Sequence, residues 1–218
     1  MSDYRMESHS KVRRIPDRAH YDEETIHDII DSAPICHVSF IQEGRPFVIP
    51  CIHGRARRTI YLHGAKASRL LGETGSGRNL CLAFTNLDGI VLARSLFHSS
   101  MNYRSVVAFG SGRKLEGAEK LEGLRVISDA LVTGRWEEAR EPTEKELRAT
   151  SVVAVDIEHA TAKIRTGGAN DDEEDLDGTW WAGVLPIESR FMEPIPNEDL
   201  REGVQIPKNI SDKVGTKI

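Results

Sequence analysis

A succession of short segments rich in β-branched and aromatic residues, each closed by a turn signal, limits what this chain can become more than any other feature. Ile35 to Ile41 and Phe47 to Ile52 flank Gln42-Glu43-Gly44 and read as a hairpin. Thr59 to His63 gives a third strand, and Leu80 to Thr85 and Ile90 to Arg94 bracket Asp88-Gly89, a two-residue turn signal. Tyr103 to Phe109, Ser151 to Ile157 and Thr161 to Thr166 complete the set. Strands at roughly 8- to 15-residue spacing, joined by hairpin-like turns, predict an antiparallel barrel and argue against a βαβ sheet. The expected fold class is mainly β with flanking helices, an α+β arrangement.

Helical spacing occupies three further places. Ile26, Ile29, Ile30 and Ala33 recur behind Asp22, Glu23 and Glu24, where a helix dipole favours acidic charge, and Pro34 ends the segment. Leu121, Leu124, Ile127 and Leu131 form an apolar stripe that Gly134 stops. After Pro142, Thr143 and Glu146 stand at capping-box spacing.

The 218 residues suffice for one substantial core. Residues 1–20 are polar, basic and aperiodic and are expected to form a mobile arm; residues 21–186 form the domain and 187–218 a Pro-containing extension. A formal charge of -5 gives no general reason for a nucleic acid or an anionic membrane as partner. Cys36, Cys51 and Cys81 include no C-x-x-C pair, so neither a disulfide framework nor a thiolate zinc site is expected. Reduced cysteines and the lack of an apolar leader point to a soluble, cytoplasmic protein.

Three segments concentrate groups suited to an anionic or heteroaromatic ligand. Leu62 and His63 end a strand that breaks at Gly64 and restarts as a helical turn bearing Lys66, Ser68 and Arg69. Backbone N–H groups, a hydroxyl and two cations there suit a phosphate dianion, although spacing alone describes an ordinary surface turn equally well. Phe97 to Ser105 brings Asn102, Tyr103, Arg104 and Ser105 to a strand mouth, either to recognise a polar ring or to satisfy one another. Lys163 and Arg165 share one strand face, where solvated charge is the default reading. His37, His53 and His63 lack metal-ligand spacing, and no metal is assigned.

Tyr61-Leu62-His63-Gly64, Ser68-Arg69, Leu87-Asp88-Gly89, Ala93-Arg94-Ser95, Phe97 to Ser105, Ala162 to Gly167 and Trp181 to Pro186 together resemble the pyridoxamine 5′-phosphate oxidase-related superfamily, in its flavin-nucleotide-binding, nitroimidazole-resistance-type branch. The resemblance implies a split β-barrel that binds FMN and forms a homodimer with the cofactor at the interface. It places the FMN phosphate near Ser68 and Arg69, helped by Lys66, and the isoalloxazine near Leu62, His63 and Thr85. Asn102, Tyr103, Arg104 and Ser105 match the strand start that contacts flavin, and Trp181, Lys163 and Arg165 are further pocket candidates. The implied function is an FMN-dependent oxidoreductase acting on a small aromatic or nitrogen-containing molecule. The alternative is a non-catalytic flavin- or haem-binding module with His63 and His98 as axial ligands. One departure matters: where the vitamin-forming oxidases carry Arg-x-His before the final Trp segment, this chain has the acidic stretch Asp171 to Asp177. An anionic loop is a poor partner for a phosphorylated vitamer, so true pyridoxamine 5′-phosphate oxidase activity is not expected.

Overall fold

The first hairpin forms as the pattern requires. Strand β2 (Cys36–Gln42) pairs antiparallel with β3 (Arg45–Cys51), and the last rung, Gln42 opposite Arg45, leaves Glu43-Gly44 as a two-residue loop. Both loop residues have positive φ, 51° and 73°, the backbone twist that matches the right-handed twist of the flanking strands. Along β2, Cys36, Val38 and Phe40 are buried while the residues between them are not, the period-two burial of a sheet with one covered face.

The computed structural model describes residues 3–218. The remaining strands are β1 (Ala19–His20), β4 (Gly54–Ala56), β5 (Thr59–Ala65), β6 (Ser76–Leu92), β7 (Ser100–Lys114), β8 (Thr150–Arg165) and β9 (Gly183–Pro186). The helices are α1 (Glu23–Ser32), α2 (Arg69–Thr74), α3 (Gly117–Leu131), α4 (Arg135–Glu138), α5 (Glu144–Ala149) and α6 (Lys208–Ser211). Strand order is β3-β2-β6-β7-β8-β5-β4, with β1 added to β8 and β9 to β6. The sheet is an open, mainly antiparallel one, in keeping with the expected split barrel. Among the described residues no helix is long and apolar enough to cross a membrane.

The chain condenses into two compact units, and β6, β7 and β8 each contribute residues to both. The first comprises residues 3–33, Ala83–Ala108 and His159–Glu188. In it α1 starts on Asp22, whose side chain accepts from Thr25 N–H, and buries Ile26, Ile29 and Ile30. The described part of the expected mobile arm is packed into this unit. Tyr4 is 2% exposed and hydrogen-bonded to His27 Nε2 at 2.9 Å, Thr161 Oγ1 donates to the Ser10 carbonyl, and β1 pairs with β8. An aromatic ring and a strand's worth of backbone donors give the segment anchors that its basic composition conceals. Residues 1–2 of that arm lie outside the described residues.

The second unit comprises Pro34–Leu82, Phe109–Glu158 and Ser189–Ile218, so the tail belongs to it. Here α3 lies on the sheet, with Leu115, Val152 and Ala154 forming a buried cluster against which Tyr61 and Leu124 pack. The capping box of α5 is present in both directions: Thr143 Oγ1 accepts from Glu146 N–H at 3.3 Å, and Glu146 Oε2 accepts from Thr143 N–H at 2.7 Å.

Two strand readings need correction. Asp88-Gly89 is no turn: β6 runs unbroken through it, and Gly89 pairs with Pro186 of β9. A Cβ on Gly89 would stand 3.0 Å from Val184 Cγ1 and 3.1 Å from the Leu185 carbonyl, so the glycine serves close strand approach and not reversal. Likewise the segments expected at Ser151–Ile157 and Thr161–Thr166 merge into one strand, β8, which ends at Arg165.

Candidate functional site

Seven strand residues, from Thr59 opposite Asp156 to Ala65 opposite Thr150, hold β5 against β8 and fix where His63 emerges. Alternation buries Leu62 completely and turns His63 to the other face, half-buried. There it lines a cavity of about 460 Å³ whose other walls are Leu124, Ile127 and Leu131 of α3, Arg135 and Trp136 of α4, and the α5 region through Arg140, Glu146 and Leu147. His63 Nδ1 is enclosed and has no hydrogen-bond partner among the described residues. Burial pushes the imidazole below its usual pKa range, so the ring is neutral at pH 7 and keeps a lone pair.

The walls combine apolar surface with a charged rim in which Arg135 and Arg140 stand beside Glu141 and Glu146. Leu131 remains 44% exposed, so the stripe of α3 is apolar beyond what its packing covers. Arg135 makes only a long 3.9 Å approach to Glu138, while Arg140 is held by Glu146 at 2.7 Å. A neutral histidine, an apolar wall and guanidinium groups at the edge offer what a haem needs: a nitrogen for the iron, apolar contact for the ring and partners for propionates. The residues present fit that group. Sequence reading named His63 but treated α3 to α5 as packing only. The signal was present in the wide Leu121–Leu131 stripe followed by Arg135-Trp136 and Arg140.

The remaining second-unit candidates lie on either side of the β5–α2 junction. Ser68 is the N-cap of α2 without a side-chain cap bond, and Arg69 places its guanidinium 4.7 Å from the centre of the Phe47 ring. Lys66 lines a second cavity, of about 370 Å³, with Lys114, Glu116, Lys120 and Arg148. Lys114 is paired with Glu116 at 2.7 Å, and Lys120 Nζ donates to the Leu147 and Thr150 carbonyls, both at 2.6 Å. The cavity wall therefore keeps a positive balance around Lys66.

The first unit carries the other candidates, and most of their polar groups are engaged within it. Arg165 is 4% exposed; its Nη1 donates to Asn102 Oδ1 and its Nη2 to the Gly168 carbonyl at 3.0 Å, while Asn102 Nδ2 donates to the Gly167 carbonyl at 3.0 Å. This is a buried clamp on the turn after β8, not a solvated face. Arg104 makes a two-pronged bond with Asp88, at 3.1 Å from Nε and 2.9 Å from Nη2. Ser105 Oγ donates to the Lys163 carbonyl at 3.3 Å and Lys163 Nζ to the Arg14 carbonyl at 3.0 Å. Thr85 and Trp181 are exposed, and Tyr103 is half-exposed. His98 bonds Asp172 Oδ2 at 3.0 Å, and Arg94 is tied to Asp171 at 2.8 Å. The acidic loop thus engages Arg94 and also His98, the residue that the alternative reading offered as a haem ligand.

Comparison with known proteins fits these observations. The profile of the family described as Pyridoxamine 5'-phosphate oxidase matches residues 22–164. The flavocytochrome Anf3 from Azotobacter vinelandii is 36% identical, covers 96% of this chain and 98% of its own, and superposes with a TM-score of 0.89. The FAD and Heme binding protein from Mycobacterium smegmatis is 30% identical over 91% of this chain and 98% of its own, with a TM-score of 0.87. A Bacteroides thetaiotaomicron protein assigned to 5-nitroimidazole antibiotic resistance shares the fold at 23% identity, 67% and 86% coverage and a TM-score of 0.56. Comparison with curated proteins gave no match. With two-thirds of its length matched by the family profile and two relatives similar end to end, the chain belongs to the pyridoxamine 5′-phosphate oxidase-like split-barrel superfamily.

Proposed function

We propose that the chain is a redox protein that binds both a flavin nucleotide and a haem, with the haem in the second-unit cavity and His63 as an axial ligand. The observation that carries the reading is the neutral, half-buried His63 with an unpartnered Nδ1 on the wall of a cavity that has an apolar side, from Leu124, Ile127 and Leu131, and a charged rim that includes Arg135. Cofactor sites commonly occupy about 300–1,000 Å³, and this cavity falls in that range. Support comes also from the two relatives similar end to end, one named a flavocytochrome and the other a FAD and Heme binding protein. The second name favours FAD over the FMN that the sequence resemblance implies.

When bound, haem supplies one-electron chemistry and flavin exchanges one or two electrons with a donor. The chain's own part is to hold the groups. His63 offers a lone pair that its lowered pKa keeps available, α3 excludes water through Leu124 and Ile127, and Arg135 presents a cation to carboxylates. Ser68 and Arg69 are the flavin-phosphate residues on this reading, with Lys66 beside them. The reaction class is oxidoreduction, on a small organic substrate.

Absorption spectroscopy of the purified protein, before and after haemin addition, tests this. The expected result is a Soret band that shifts on reduction, together with flavin absorbance. His63→Ala loses the Soret band and keeps flavin, Arg69→Ala weakens flavin at least tenfold and keeps haem, and chromatography of the released flavin separates FAD from FMN. Haemin binding to His63→Ala with wild-type spectrum and affinity overturns the ligand assignment.

A further inference from the structure

Cys36 and Cys51 are directly opposed across the β2–β3 ladder, and their Sγ atoms are 3.6 Å apart. The geometry points to a reversible dithiol–disulfide couple at this pair, a modification site for small disulfides of the glutathione type. Opposed residues in an antiparallel pair have Cα atoms about 4.5 or 5.5 Å apart, depending on the rung, and disulfides accept about 4.4–6.8 Å, so either rung can be bridged. The sulfur atoms need to close by about 1.5 Å to reach bonding distance. The pair is the last rung at the open end of the hairpin, opposite the tight Glu43-Gly44 loop, and β3 is an edge strand. A terminal rung on an edge strand moves more easily than a rung inside the sheet. Opposed Cβ atoms in a sheet stand slightly wider than a relaxed disulfide prefers, and the resulting strain makes the bond oxidising and readily reduced again.

The two sulfurs are unequal in a way that orders the steps. Cys36 is buried and Cys51 is half-exposed. The hydrogen bond between them lowers the Cys51 pKa and, with burial, raises that of Cys36. The accessible Cys51 thiolate attacks one sulfur of the small disulfide and displaces a thiolate, giving a mixed disulfide. Cys36 Sγ then attacks Cys51 Sγ, forms the protein S–S bond and releases the second small thiolate. The two cysteine protons end on the two released thiols; the protein dithiol is oxidised by two electrons and the small disulfide is reduced by two. Cys81, whose pKa burial raises, is the internal control.

The test uses the wild-type protein without added cofactor, so it stands apart from the haem reading. Purified reduced protein is equilibrated with glutathione disulfide, quenched with an alkylating agent, and analysed by thiol titration, intact mass and peptide mapping. The expected outcome is a fall from three thiols to one, a mass lower by two hydrogens, a crosslink joining the peptides of Cys36 and Cys51, and full reversal by dithiothreitol. Cys81→Ser behaves in the same way, and Cys36→Ser stops at a glutathione adduct on Cys51. Retention of all three thiols in excess oxidant, a crosslink involving Cys81, or a persistent glutathione adduct on wild-type Cys51 overturns the proposal. The wild-type and Cys81→Ser results decide the matter even where Cys36→Ser does not fold.

Discussion

Adding one methyl group at Gly54 should separate β4 from α3. A Cβ built there stands 2.7 Å from the Val126 carbonyl oxygen, 2.8 Å from Ile127 Cα and 2.9 Å from Ile127 N. All three atoms are backbone, so no side-chain rotation relieves the clash. Ordinary contact begins near 3.4 Å, and α3 has to retreat by about 0.7 Å. Overpacking of this kind costs about 1–3 kcal/mol. For a chain of this length each kcal/mol corresponds to about 2–4 °C in Tm, so Gly54→Ala is expected to melt roughly 4–8 °C below wild type for a mid-range cost of about 2 kcal/mol. Ile127, the residue pushed, also lines the His63 cavity, so on the proposed haem reading haemin affinity falls with Tm. Gly72→Ala in α2 is the matched control: nothing lies within 4 Å of its Cβ, and its φ is not positive. Replacing a helical glycine without a clash gains about 0.5–1 kcal/mol, so this variant melts at or above wild type. Circular-dichroism melts of the two variants decide the matter; Gly54→Ala melting with wild type refutes the close-approach reasoning.

Asn102→Ala removes an acceptor from buried Arg165 and is expected to destabilise the protein by about 1.5–3 kcal/mol, read in a denaturant titration; an unchanged midpoint refutes a structural clamp. The Glu146 carboxyl is held down to about 2, first by the Arg140 guanidinium and then by the Thr143 donors. A folded pKa below the unfolded one means that its contribution is complete above pH ~4.3 and lost as pH falls towards 2. The Tm difference between wild type and Glu146→Gln should therefore shrink across that window; a difference constant with pH contradicts the ion pair. For His63 the sign is opposite: burial favours the neutral ring, so on the proposed haem reading haemin affinity should hold constant as pH falls to about 6.5 and weaken only below it. A haemin titration series in pH that weakens already above 7 contradicts the burial.

The local elements were legible because their causes are local. The helix start at the acidic Asp22 to Glu24, the cap at Thr143 and the hairpin turn between Ile41 and Phe47 rest on short-range hydrogen bonds, local charge and backbone twist, written within a few residues; that Asp22 is itself the cap and that Gln42 belongs to the ladder came from the structure. β-Branched and aromatic content located β2 and β5, while the facing of His63 came only from the burial pattern of the folded β5. The Asp88-Gly89 misreading shows where local reasoning stops: the same dipeptide serves a turn or a close strand contact, and only the presence of β9 distinguishes them. Basic residues proved equally ambiguous. Lys66, Arg69, Arg104, Lys163 and Arg165 look alike as letters, yet Arg104 and Arg165 are satisfied by Asp88 and Asn102, while Lys66 and Arg69 stay exposed.

Periodicity, caps and turn chemistry were enough to specify an antiparallel sheet with helices beside it, since those forces act over a few residues. Tertiary structure alone decided which charges are spent internally, that Cys36 meets Cys51, and that α3 to α5 enclose a cavity at His63. Each of these depends on residues brought together from distant parts of the chain, where burial and partner geometry, absent from any local pattern, set the energy of a charge or a thiol.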